Sequence, residues 1–260
     1  MNLFVFDIET VPDVDAGRRL YALGDLDDHA VAEIMFHKQR EATGSDFLRH
    51  HLHRIVAIAV VLRSAERFKL WSLGDVTAPE EELIARFFDG LERYSPTLVS
   101  WNGSGFDLPV LHYRSLLHGV VARRYWETGE DDTSFRWNNY LSRFHQRHTD
   151  LMDVLSGYQP RASVSLQDMA MLLGLPGKLG MHGSLVWDRY LGGDLEVIRN
   201  YCETDALNTF LIYLRFELVR GHLSREAYDR ECTQTRAALE EDGRPHVAEF
   251  LDAWPGGRAD

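Results

Sequence analysis

Cysteine is scarce in this sequence, and its scarcity argues against two kinds of protein. Only Cys202 and Cys232 occur among 260 residues, and they form no C-x-x-C pair. A disulfide framework or a cysteine-based zinc site needs more cysteines at characteristic spacings. No stretch approaches the roughly 18 apolar residues of a membrane-spanning helix, and the Met1 end shows no basic region followed by an apolar region and a small-residue cleavage site. We therefore expect a cytoplasmic protein with no membrane partner.

Positive charge is in short supply as well. The 28 Lys and Arg residues are outnumbered by 40 Asp and Glu residues, which gives a formal net charge of −12. A protein that grips long duplex nucleic acid by neutralising its phosphates is usually basic. An enzyme that holds only the end of a strand needs fewer phosphate contacts. The charge balance therefore predicts weak, salt-sensitive binding if the substrate is a nucleic acid.

A phosphate loop of the Walker A type is absent, although residues 174–180 (GLPGKLG) resemble one at first sight. The pattern G-x4-G-K-S/T would require glycine at Leu172 and a hydroxyl side chain at Leu179. We interpret the segment as a flexible loop that lines a nucleic-acid groove, with Lys178 as a substrate phosphate contact.

The most informative stretch that is present is the predicted first strand, residues 3–10 (LFVFDIET). Side chains two positions apart share a strand face, so Asp7 and Glu9 point the same way. Two such charges repel each other unless a cation lies between them, and oxygen ligands suit Mg2+ or Mn2+. The pair alone is weak evidence for a metal site, because a chain with 40 acidic residues is expected to contain roughly 6 such pairs by chance.

Two further stretches supply the context. Residues 100–107 (SWNGSGFD) contain Asn102, Phe106 and Asp107, and residues 201–205 (YCETD) contain Tyr201 and Asp205. Residues four apart share a helical face, so Tyr201 and Asp205 can face one site.

The order D-x-E, N-x3-F-D and Y-x3-D resembles the DEDD superfamily of 3′-to-5′ exonucleases in its tyrosine subclass. The likeness is closest to the exonuclease domain of family B DNA polymerases and to the bacterial stand-alone exonucleases related to it. Further similarity lies in residues 45–48, 51–58 and 172–174, and the resemblance spans about residues 1–220. The sister subclass has histidine five residues before the last aspartate, where this chain has Asn200.

The resemblance implies a metal-dependent 3′-to-5′ exonuclease that acts on single-stranded DNA and releases nucleoside 5′-monophosphates. In its two-metal scheme the ions are Mg2+ or Mn2+. Asp7, Glu9 and Asp205 would hold the first ion. Asp7 would also bridge the two ions, and Asp107 would serve the second. Tyr201 would orient the attacking water. The implied substrate contacts are Asn102 and Phe106, together with Thr10, which would meet the terminal sugar through its backbone.

Two other functions stay open. An exoribonuclease would use the same carboxylates, because the groove and not the metal site recognises the 2′-hydroxyl. A non-catalytic nucleic-acid-binding protein could keep the fold without turnover, although none of the five catalytic positions is substituted. We favour DNA over RNA and expect a monomer that works with a replication or repair partner.

The motif resemblance also implies the fold. We expect an α/β protein of the ribonuclease H-like type, with a mixed five-stranded sheet flanked by helices on both faces. Residues 1–221 would form the exonuclease domain. Residues 222–260 would form a helical extension, whose apolar stripe is too small to fold alone. It would pack on the domain or offer that stripe to a second subunit or a repair partner.

Two segments allow two interpretations each. Residues 11–54 carry a local basic patch, which is either a solvated loop or a contact for substrate phosphates: His37, Lys38, Arg40, Arg49, His50, His51, His53 and Arg54.

Residues 123–149 alternate aromatic and cationic side chains, which either stack and hold a single strand or anchor an insertion to the core: Arg123, Arg124, Tyr125, Trp126, Arg136, Trp137, Tyr140 and Arg143.

Overall fold

The computed structural model describes residues 2–65 and 67–255, so the last five positions of the predicted extension lie outside the described residues. One sheet forms the centre, with strand order β3-β2-β1-β4-β5. β1 is antiparallel to β2 and parallel to β4. The predicted α/β architecture with the ribonuclease H-like strand arrangement is confirmed. The strands are β1 Leu3–Pro12, β2 His53–Arg63, β3 Phe68–Ser72, β4 Thr97–Ser100 and β5 His148–Asp150.

Eleven α-helices are found in the described residues. They are α1 Val14–Tyr21, α2 Asp28–Thr43, α3 Glu80–Tyr94, α4 Asp107–His118, α5 Arg123–Trp126, α6 Leu151–Leu155, α7 Leu166–Leu172, α8 Val186–Leu191, α9 Leu195–Val219, α10 Arg225–Asp242 and α11 Pro245–Ala253. Across residues 2–65 and 67–255, none of the helices combines the length and the apolar character that a bilayer crossing requires.

The central strand β1 sorts its side chains between two cores. Leu3 and Val5 pack in the core that contains most of α9. Phe4, Phe6 and Ile8 enter the opposite core, formed with α3 and α4. Because side chains alternate along a strand, Asp7 and Glu9 continue the row of Leu3 and Val5. The two carboxylates therefore emerge on the face that α9 covers.

The C-terminal helices lie against the same face. Leu239 of α10 and Val247 and Phe250 of α11 belong to the core that contains α9. Arg63 of β2 donates twice to the carboxylate of Glu231 in α10, at 2.8 and 2.9 Å. The division of the chain after Gly221 stays a prediction.

The aromatic side chains of residues 123–149 divide into two groups. Tyr125, Phe135 and Tyr140 are buried in the core beneath α3 and α4. The guanidinium of Arg147 lies 3.6 Å from the centre of the Phe135 ring. Trp137 is 83% exposed. The buried rings thus anchor the segment to the core. The exposed Trp137 does not contribute to that anchoring.

Candidate active site

Strand β1 and helix α9 bring three of the predicted carboxylates together. Oxygen atoms of Asp7, Glu9 and Asp205 all lie within 4.8 Å of one another. Asp205 is buried, and among the described residues no group donates a hydrogen bond to its Oδ1. A buried carboxylate oxygen without a partner is costly, and an oxygen-only donor set matches hard divalent cations. The arrangement therefore fits a Mg2+ or Mn2+ ion.

Asp107 lies beside this cluster but is not one of its three closely spaced members. It is the first residue of α4 and is buried, and its Oδ1 accepts a hydrogen bond of 3.2 Å from the Ile8 amide. Its charge also contributes to raising the pKa of Asp7. The structure thus places all four predicted carboxylates around the middle of the central strand β1, just beyond its pairing with β4.

The turn before Asp107 is held in a fixed shape. Asn102 has a positive φ of 64°, and a Cβ at Gly103 would collide with the Ser100 side chain. Asp150 accepts hydrogen bonds of 2.9 Å from the amides of Asn102 and Ser104. Asp150 therefore fixes the loop that precedes Asp107.

Crowding of the carboxylates alters their acidity. Burial, followed by repulsion from neighbouring carboxylates, raises the pKa of Asp7 and of Glu9 well above the ordinary values. Burial also raises the pKa of Asp107 to about 7 and that of Asp205 to about 6, the latter opposed by Lys178. Without a cation, the site therefore holds protons near neutral pH, and protons and metal compete for it.

The stability of the metal-free protein should consequently fall as pH rises. The folded-state pKa values exceed the unfolded values of about 4, so the native state binds more protons between about pH 4 and 7. We expect a lower melting temperature in EDTA at about pH 8 than at about pH 6, and added Mn2+ should remove most of the difference. Melting curves of wild type and Asp107→Asn would check this, because the variant should depend less on pH. Equal pH dependence in both proteins would contradict the assignment.

Tyr201 and Lys178 lie beside Asp205 at the edge of the carboxylate cluster. The Lys178 ammonium donates to the Tyr201 hydroxyl and lies 3.7 Å from Asp205 Oδ2. Burial, followed by repulsion from the carboxylates, raises the pKa of Tyr201. The phenol therefore stays protonated and can orient a water molecule but not deprotonate it. The sequence placed Lys178 on a groove loop; the structure brings its ammonium into the site itself.

A pocket of about 660 Å³ opens next to Glu9 and Thr10. Phe106 lines it, with its ring 5.4 Å from Phe47 and 5.1 Å from His53 between centres. The predicted contact Asn102 is not among the lining residues. A pocket with aromatic walls beside the carboxylates can receive a nucleobase and its sugar.

The direction of the Thr10 hydroxyl follows from its neighbour. His53 Nε2 lies 3.1 Å from the Leu48 carbonyl, which can only accept, so Nε2 carries the proton. Burial lowers the pKa of His53 to about 4, so Nδ1 is an acceptor. Thr10 Oγ1 lies 2.8 Å from Nδ1 and therefore donates to it. Its lone pairs remain available to accept a hydrogen bond from a ligand in the pocket.

Sequence reasoning gave three neighbours of the site no specific role. His53 orients Thr10, His50 Nε2 lies 2.8 Å from the Gly105 carbonyl, and Cys202 Sγ lies 3.4 Å from Asp7 Oδ2. Both histidines belong to the basic patch of residues 11–54. The one signal that could have singled out His53 is the family similarity of residues 51–58.

Comparison with known proteins agrees with this geometry. The family model described as a predicted 3′-5′ exonuclease related to the exonuclease domain of PolB matches residues 45–254. The match includes Asp107, Tyr201 and Asp205, begins after β1, and runs into the C-terminal helices, beyond the span of about 1–220 expected from the motifs. No curated protein matches the chain. Most of the chain is covered, and it therefore belongs to this family of predicted 3′-5′ exonucleases related to the PolB exonuclease domain.

Proposed function

We propose that this protein is a metal-dependent 3′-to-5′ exonuclease that removes nucleotides from single-stranded DNA as nucleoside 5′-monophosphates. The observation that carries the proposal is the cluster of Asp7, Glu9 and Asp205 with Asp107 beside it, at the edge of an aromatic pocket. Such a cluster is suited to cations that meet a phosphodiester. The relation to a DNA polymerase domain supports DNA as the substrate.

The carboxylates would hold two Mg2+ or Mn2+ ions, with Asp7 central and Asp107 serving the second. Such a pair supplies an activated water and stabilises the leaving 3′ oxygen. The remaining work belongs to the protein. Tyr201, as a neutral phenol, positions the water in line with the departing oxygen. Lys178 holds a non-bridging phosphate oxygen, and Phe106 stacks on the terminal base.

The substrate is tested by digesting matched DNA and RNA oligomers, each with a free or a blocked 3′ end, in Mn2+ before and after EDTA. We expect stepwise, EDTA-sensitive shortening of DNA with a free 3′ end and slower attack on RNA. Hydrolysis of the blocked oligomers at an equal rate would contradict the exonuclease assignment. Faster attack on RNA would assign the protein as an exoribonuclease. Binding without EDTA-sensitive hydrolysis would favour a non-catalytic binding protein.

Besides the backbone contact that the resemblance implies for Thr10, its hydroxyl would accept a hydrogen bond from the terminal 3′-hydroxyl, and Thr10→Val should remove discrimination for that group. The substitution keeps the shape of Thr10 but loses the oxygen that His53 orients. One lost hydrogen bond of about 0.5–1.5 kcal/mol corresponds to a decrease of roughly 2- to 12-fold in kcat/KM. We expect this decrease for oligomers that end in a 3′-hydroxyl and little change for 3′-deoxy ends. An equal decrease for both ends would contradict the contact.

We further propose that residues 1–221 carry the catalysis and that residues 222–260 form an extension packed on them. The contacts of α10 and α11 with the α9 core support packing within one chain. We propose a monomer in solution, acting with a replication or repair partner. A sedimentation experiment that finds a dimer would contradict the monomer.

A further inference from the structure

Glu203 lies between the two functional residues of α9 but points away from them. An α-helix turns about 100° per residue, so Glu203 is about 160° around the axis from both Tyr201 and Asp205. Its side chain is nevertheless buried, with 2% of the residue exposed. A buried carboxylate on the far side of a catalytic helix needs partners of its own.

Those partners come from the C-terminal extension and from β3. Arg244 Nη1 lies 2.7 Å and His246 Nε2 lies 3.0 Å from Glu203 Oε2. The Ser72 hydroxyl donates to Glu203 Oε1 at 2.8 Å. Arg244 also donates to the Leu70 carbonyl at 3.0 Å, which ties the same guanidinium to the sheet. Glu203 is therefore fixed relative to the sheet that carries Asp7.

The C-terminal extension also lines a cavity next to Tyr201. A cavity of about 290 Å³ is lined by Tyr201 and Thr204 of α9 and by Pro245 and His246 of α11. The first turn of α11 thus contacts Glu203 directly and faces Tyr201 across the cavity. A shift of α11 would change both the contact and the cavity.

We propose that Arg244 and His246 are positioning residues, which hold Glu203 and thereby set the rotation and depth of α9 that place Tyr201 and Asp205 against Asp7 and Glu9. The proposal rests on the proposed function, because it concerns the same metal site. It assigns the C-terminal extension a part in building that site, beyond covering an apolar surface.

The test compares two attachments of the extension in the full chain. Arg244→Met keeps the apolar stem of the side chain but removes the guanidinium and with it the ion pairs to Glu203 and Asp242. Glu231→Gln is the matched control, because it weakens the attachment to Arg63 and leaves Glu203 and its partners in place. Each protein would be measured for melting temperature, for Mn2+ binding by calorimetry, and for kcat and KM.

We expect both variants to melt earlier, but only Arg244→Met to bind Mn2+ about 10-fold more weakly, which is the low end of the 10- to 100-fold loss caused by removing groups that hydrogen-bond the ligands themselves. Its kcat should fall more than its KM changes, and Arg244→Lys should recover part of the loss. Mn2+ affinity in Arg244→Met equal to that of Glu231→Gln would overturn the proposal. If the wild type hydrolyses no oligomer, the proposed function fails, while the calorimetry still decides the positioning role.

Discussion

Asp7→Asn should abolish hydrolysis while leaving the metal-free protein at least as stable as the wild type. The negative charges of Asp107, Glu9 and Asp205 all raise the pKa of Asp7. Removing its charge relieves that repulsion and at the same time replaces a charged carboxylate with a neutral amide, which is a weaker ligand for a divalent cation. A loss of about 10³-fold or more in kcat/KM is expected, in the range found when groups that stabilise developing charge are removed.

The measurement is a rate assay paired with melting curves in EDTA. Asp89→Asn is the matched control, because Asp89 is an exposed carboxylate on α3, outside the site. The control should keep wild-type activity and stability. Asp7→Asn with substantial activity, or with a metal-free melting temperature well below that of the wild type, would contradict the role given to Asp7.

Tyr201→Phe should be milder, with a loss of about 10- to 100-fold in kcat. The variant removes one hydroxyl that contacts Lys178 and keeps the buried ring. A neutral phenol orients water, so the slope of the pH–rate profile should be retained. The measurement is kcat against pH for both proteins at saturating Mn2+.

Lys178→Met serves as the partner in a double-mutant cycle. If Lys178 and Tyr201 act together on the water and the phosphate, the double variant should lose less than the product of the single losses. If Tyr201→Phe were as inactive as Asp7→Asn while Mn2+ binding was unchanged, the water-orienting role of Tyr201 would be contradicted. That result would indicate that Tyr201 transfers a proton instead.

Elements with strong local patterns were predictable from sequence. The alternation of β1 placed Asp7 and Glu9 on one face, and the four-residue spacing placed Tyr201 and Asp205 on another. The structure confirms that both Tyr201 and Asp205 lie on one helix, α9, which runs Leu195–Val219. These features depend on neighbours along the chain, so the local sequence contains the information that determines them.

Contacts between distant parts of the chain were not predictable in the same way. The bond between Thr10 and His53 joins residues 43 positions apart, and the same separation joins Glu203 to His246. The local sequence does not reveal the partner of either histidine, because only tertiary packing brings the two residues of each pair together. Likewise, Lys178 was located on a loop, but its approach to Asp205 depends on how that loop folds against α9.

The most direct test of the account is anomalous diffraction from crystals soaked with Mn2+ and a nucleoside 5′-monophosphate. We expect two manganese peaks about 3.5–4 Å apart, one within bonding distance of Asp7, Glu9 and Asp205 and the other next to Asp107, with the base in the pocket beside Phe106. Crystals in which the manganese peaks lie away from Asp7 would contradict the account. Crystals that bind the nucleotide outside this pocket and show no manganese peak would also contradict it.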